Sequence, residues 1–148
     1  MMNYAIHKKA HFDYEILEKF EAGLILTGQE VKSIRAKQIK LTGSFVTIHN
    51  DEAFLTNAHI PLYTHAIAKD YDPTHSRKLL LKIKEIRYLR GKLQEKGLTI
   101  VPLSIYTKGR TIKLEIGIGK GKKKYDKRRV IKDRESKREM GRILKENK

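Results

Sequence analysis

From Tyr14 to Leu26 the even positions run Tyr14, Ile16, Glu18, Phe20, Ala22, Leu24 and Leu26, while the odd positions include Glu15, Lys19 and Glu21. Alternation with period two over that length predicts one long β-strand with a buried face. The small pair Ala22-Gly23 predicts a bulge or bend in it. Thr27-Gly28-Gln29-Glu30 is a capping box, in which the threonine hydroxyl and the glutamate carboxylate each accept a backbone N–H of the first helical turn. A helix follows to about Arg35, burying Val31 and Ile34 and exposing Lys32 and Arg35. Next comes a hairpin, Phe45–His49 and Ala53–Ala58 around a turn at Asn50-Asp51. Asp72-Pro73 reads as a helix start, with Leu79, Leu80, Ile83, Ile86, Leu89 and Leu93 at helical spacing until Lys96-Gly97 stops it. Two strands end the pattern. Thr99–Thr107 carries Pro102, which places it at an edge or a bulge. After a Lys108-Gly109 turn, Ile112, Leu114, Ile116 and Ile118 alternate with Thr111, Lys113, Glu115 and Gly117.

At least five β segments, with a capped helix between the first and second, predict a mainly β fold with two or three helices. A small antiparallel β-barrel of the oligonucleotide-binding type fits the pattern, and a two-layer α+β sheet fits it as well. The 148 residues suit one domain. Apolar runs stop at four or five residues, so no membrane-spanning helix is expected, and the first residues lack the pattern of a signal or transit peptide. Without cysteine there is no disulfide framework or thiolate metal site, which agrees with a cytoplasmic location.

Charge changes the picture most. Lysine and arginine number 33 against 17 acidic residues, a formal +16. Residues 1–119 carry a net +7, and residues 120–148, with 14 basic and 5 acidic side chains, carry +9. Gly119-Lys120-Gly121-Lys122-Lys123-Lys124-Tyr125-Asp126-Lys127-Arg128-Arg129 opens that second segment. Its apolar residues Val130, Ile131, Met140, Ile143 and Leu144 leave a gap too wide for a helical stripe. The division expected is a barrel at 1–119 and a basic C-terminal tail at 120–148. The tail is disordered when free and helical from about Lys132 when held on an anionic surface; a solvated solubility tail is the plainer alternative. Excess positive charge of this kind points to a polyanion, nucleic acid first.

Several segments together resemble a known family. They are Phe20-Glu21-Ala22-Gly23-Leu24, Leu26-Thr27-Gly28-Gln29-Glu30-Val31-Lys32-Ser33-Ile34-Arg35, Asn57-Ala58-His59-Ile60, Asp72-Pro73-Thr74 with Arg77-Lys78-Leu79-Leu80-Leu81, and Lys96-Gly97-Leu98-Thr99. The run from Gly119 to Arg128 is similar to the family's C-terminal motif. The family is small protein B, which binds bacterial transfer-messenger RNA (SsrA RNA), and the resemblance spans roughly residues 5 to 140. It implies a non-catalytic protein of trans-translation, the rescue of ribosomes stalled without a stop codon. The barrel would grip the tRNA-like domain of the RNA and stand in for its missing anticodon arm. The tail would fold in the empty mRNA channel near the decoding centre. Elongation factor Tu, carrying the alanyl form of the RNA, would be an indirect partner; no membrane or cofactor is implied, and the protein is expected to be monomeric.

The resemblance ties Glu21, Leu80 and Lys113 to RNA binding, with Gly23 beside them. A carboxylate suits base N–H groups or a 2′-hydroxyl better than phosphate, though Glu21 also reads as an ordinary outward strand residue. Leu80 reads equally well as core. Lys32, Arg35, Arg77 and Lys78 are phosphate-contact candidates by charge. In the tail, Gly121 and Gly119 let the backbone leave the barrel, and Lys122, Lys123 and Lys124 attract phosphate. Tyr125 offers a ring for stacking, and Asp126-Lys127-Arg128 matches the motif for tail function on the ribosome. The chain departs from the family at His7, Lys37 and Phe45, where asparagine, glycine and tyrosine are common.

Catalysis finds little support. Asp70, Asp72 and His75 are better explained by a cap at Asp72 than by a metal. A general RNA-binding or ribosomal protein shares the charge argument. A protein–protein adaptor using a helix at 77–96 leaves the +16 unexplained.

Overall fold

A computed structural model describes residues 2–64, 66, 70–122 and 128. Chain order is β1 (Met2–Ile6), α1 (Lys8–Asp13), β2 (Tyr14–Leu24), α2 (Gly28–Arg35), β3 (Phe45–His49), β4 (Glu52–Thr56), β5 (Arg77–Leu80), α3 (Ile83–Leu93), β6 (Leu98–Lys108) and β7 (Thr111–Gly121). All seven strands join one antiparallel sheet in the order β1-β6-β7-β2-β5-β4-β3. The sheet curls until β3 packs against β6, enclosing a core of Ala22, Ile34, Leu55, Leu79, Leu114 and Ile116, each at most 1% exposed. This is the expected mainly β barrel with three helices.

Thr27 caps α2 as its sequence dictates: its hydroxyl accepts from the Glu30 amide at 3.3 Å, and the Glu30 carboxylate accepts from the Thr27 amide at 3.0 Å. Ile34 is buried, Val31 is half-buried, and Lys32 and Arg35 are exposed. The helix closes with the Gln38 amide on the Ser33 carbonyl and the Lys37 amide on the Ile34 carbonyl, a Schellman ending that puts Lys37 at φ +59°.

The helix expected from Asp72-Pro73 onward is divided. Arg77–Leu80 is β5, a strand between β2 and β4, with Leu79 opposite both Leu24 and Ala53. A run of three leucines carries no period of its own, and the open place between two strands decides its conformation. Only Ile83, Ile86, Leu89 and Leu93 remain helical, in α3, where the Lys82 amide donates to the Glu85 carboxylate at 3.1 Å. Asp72 caps a turn instead, accepting from the Thr74 amide at 2.9 Å.

Three smaller expectations also change. β2 ends at Leu24, and its irregularity lies between Ile16 and Glu18, where Leu17 is left 49% exposed, while Ala22-Gly23 stays in register. Pro102 sits at a bulge, as expected, but in a strand with neighbours on both sides; His7 fits there, its Nδ1 donating to the Pro102 carbonyl at 2.8 Å. β7 runs past Gly119 to Gly121, because Gly119 and Gly121 pair with Ile16 and Tyr14. A Cβ on Gly119 would stand 3.0 Å from that of Tyr14, so its smallness serves close strand packing rather than chain exit.

Candidate nucleic-acid interface

Residues directly opposed in an antiparallel pair face the same side of the sheet. Gly23 of β2 lies opposite Leu80 of β5 on one flank and Lys113 of β7 on the other, and Lys113 lies opposite Tyr106 of β6. Their chain neighbours Ala22, Leu79, Leu114 and Ile105 are buried in the core, so this row faces outward. Glu21 follows two residues along β2 on the same face, opposite Glu115. Four residues selected from sequence thus meet on one patch.

Leu80 is 53% exposed, which removes the core alternative for it. Gly23 suits the close approach of β5: a Cβ there would stand a tight 3.2 Å from that of Leu80. Glu21 accepts from the Tyr106 hydroxyl at 2.5 Å and from Lys108 Nζ at 3.3 Å. The Tyr106 hydrogen bond, then Lys108 and the more distant charge of Lys113, hold its carboxyl below the usual range, so it is ionised at neutral pH. Burial and the neighbouring Glu21 push the Tyr106 phenol up, keeping it a donor. Beside Glu21 a cleft of about 630 Å³ opens between the sheet and the start of α3, lined by Lys78, Leu80, Lys82, Ile83 and Glu85 among others.

Cations rim the patch. Arg35 reaches the β6–β7 turn, its Nη2 donating to the Arg110 carbonyl at 3.4 Å, and so brings the last turn of α2 beside Lys108 and Arg110. Lys32 Nζ stands 5.8 Å from the centre of the Tyr63 ring. Among the described residues, no carboxylate lies within ion-pair distance of Lys32, Arg35, Arg110 or Lys113, whereas Lys78 shares Glu52 at 3.5 Å.

Arg77 is the correction. It is 1% exposed and hydrogen-bonds Glu30 at 2.8 Å and the Ala58 and Pro73 carbonyls at 2.7 and 2.8 Å, with the Tyr71 hydroxyl at 3.1 Å. Strand alternation places it on the inner side with Leu79, where it ties α2 and the loop before β5 together and meets no solvent. Tyr106 and Lys108 were missed. Their signal was the outward register Ser104, Tyr106, Lys108 of β6, the phase opposite to Leu103 and Ile105.

At the far end of β7, Gly121 closes the strand, and Lys122 donates from its amide to the Asp13 carbonyl at 2.9 Å and from Nζ to the His11 carbonyl at 3.2 Å. Arg128 is exposed. The expectations for Lys123, Lys124, Tyr125, Asp126, Lys127 and the stretch from 129 lie outside the described residues.

Comparison with known proteins gives one answer. The family described as "SmpB protein" matches residues 4–146. The SsrA-binding protein of Magnetococcus marinus is 50% identical over 143 residues, 97% of this chain and 95% of that protein. Its namesake from Leuconostoc mesenteroides is 52% identical over 141 residues, covering 95% and 92%. A chain of the solved structure "tmRNA-SmpB: a journey to the center of the bacterial ribosome" superposes with a TM-score of 0.68 at 45% identity, over 81% of this chain and 85% of its own length.

Proposed function

The chain belongs to the SmpB family, and from that premise we propose that it binds SsrA RNA and serves trans-translation. The tRNA-like domain of the RNA docks on the outer face of β2, β5 and β7. Glu21, Gly23, Leu80 and Lys113 form the centre of the contact, and Lys32, Arg35 and Lys78 form its rim. One observation carries this reading: an ionised acceptor, an exposed leucine and Lys113, which has no carboxylate at ion-pair distance among the described residues, share a single face. Phosphates are met by the cations and base edges by the carboxylate. The tail segment, Gly121 to Arg128 and beyond, enters the ribosome's mRNA channel near the decoding centre in place of an anticodon arm. Elongation factor Tu arrives with the alanylated RNA. The protein works as a monomer in the cytoplasm, without catalysis or a cofactor.

The test is to purify the protein from its own cells at physiological salt and sequence the RNA that comes with it. Strong enrichment of SsrA RNA over transfer and ribosomal RNA supports the reading. Recovery of bulk RNA in proportion to its abundance makes the protein a general RNA binder instead.

A further inference from the structure

Tyr106 is 5% exposed on the outward row of β6, and its hydroxyl reaches Glu21. That hydroxyl takes one oxygen of Glu21 and Lys108 takes the other. A glutamate on an open strand face samples several rotamers; a carboxylate gripped at both oxygens keeps one. Lysine alone is a weak restraint here, since Lys108 is exposed and its ammonium turns freely. The phenol is rigid, buried and fixed by strand register opposite Lys113. Beside the carboxylate, Leu80 and Ile83 present apolar surface at 53% and 44% exposure, on the wall of the cleft. An ionised carboxylate has lone pairs to spare and no proton to give, so it takes N–H or O–H donors and repels phosphate, and the apolar surface beside it suits the flat face of a base better than a ribose hydroxyl.

We propose that Tyr106 is a positioning residue, holding the Glu21 carboxylate in one orientation as an acceptor for the N–H groups of an unpaired base that lies against Leu80. This inference rests on the proposed function and deepens it by naming the group recognised and the residue that aims the acceptor. Tyr106→Phe retains the ring and removes only the grip.

The experiment uses the full chain and a transcript of the tRNA-like domain of SsrA RNA, with Tyr106→Phe, Glu21→Gln and the double variant. Tyr106→Phe is expected to weaken binding about tenfold, the size of one hydrogen bond to a charged group. In the Glu21→Gln background the same change is expected to cost less than about twofold. In the free protein, carbon NMR should show the Glu21 carboxyl midpoint moving up in Tyr106→Phe. Full affinity of Tyr106→Phe beside a weakened Glu21→Gln overturns the inference and leaves the proposed function standing. An equal loss in both backgrounds also overturns it, because the tyrosine then acts through packing. Unchanged binding by Glu21→Gln removes the Glu21 contact itself and the inference with it. One measurement needs no variant: three-bond couplings of the wild-type Glu21 side chain must report a single χ1 rotamer, and averaged couplings overturn the proposal.

Discussion

Arg77 and Lys78 are adjacent, equally charged and opposite in fate. Strand alternation turns Arg77 inward against Glu30 and leaves Lys78 on the outer face. Arg77→Ala takes the guanidinium from the buried Glu30 carboxylate, leaving it the Thr27 amide, the Tyr71 hydroxyl and the part-exposed His75, so it should destabilise the barrel by about 3 kcal/mol in chemical denaturation. Leu80→Ala, at an exposed position, should change stability by less than about 0.5 kcal/mol while weakening RNA binding. Glu30 also sets the acid limit. Burial pulls its carboxyl upward, but the Thr27 amide and Arg77 outweigh that and hold it below its ordinary value. The stability it adds is complete above the unfolded carboxylate value of about 4.3, and is lost as pH falls through the lower folded value. Glu30→Gln should therefore lower stability at pH 7 and flatten the decline as pH falls below about 4.3. Charge counting made Arg77 and Lys78 look alike. The distinguishing signal was Leu79: an arginine two residues from a core leucine on a strand shares its side.

Among the elements, those with a strong local code were legible before the fold was known. The capping box fixed the start of α2, and Asn50-Asp51, both at positive φ, marked the β3–β4 hairpin. β5 was not legible, because four residues are too few for a period, and the preference of Leu79–Leu81 is set by strands distant in sequence. β1 and α1 likewise show no alternation; they are held by pairing with β6 and by the burial of Ala10. The departure at Lys37 is explained by the end of α2. A lysine occupies the left-handed position that glycine adopts without a Cβ penalty. Lys37→Gly should stabilise the protein by about 1 kcal/mol, read as a higher denaturation midpoint with an unchanged slope.

For the whole molecule, the charge argument identified the class of partner but not the place of contact. Among the described residues, most lysines and arginines of the barrel are exposed, and five carboxylates outside the core are shared with them. The position of the candidate site emerges only when β2, β5 and β7 are laid side by side. If about six phosphates are engaged, the logarithm of affinity should fall against the logarithm of salt with a slope of roughly −4 to −5. Ending the chain after Lys122 should leave affinity for the isolated tRNA-like domain within about threefold at physiological salt, because the patch is complete without the rest; a filter-binding series in potassium chloride measures both. The two regions proposed to work stand at opposite ends of β7, Lys113 at one and Lys122 just beyond the other, roughly 30 Å apart at ~3.3 Å per residue. Register with β2 and β6 locks that span: one residue inserted in β7 would turn every later side chain to the wrong face. The strand is therefore a ruler, and evolution can retune where the cationic segment reaches only by changing its length after Lys122, never by shifting its origin.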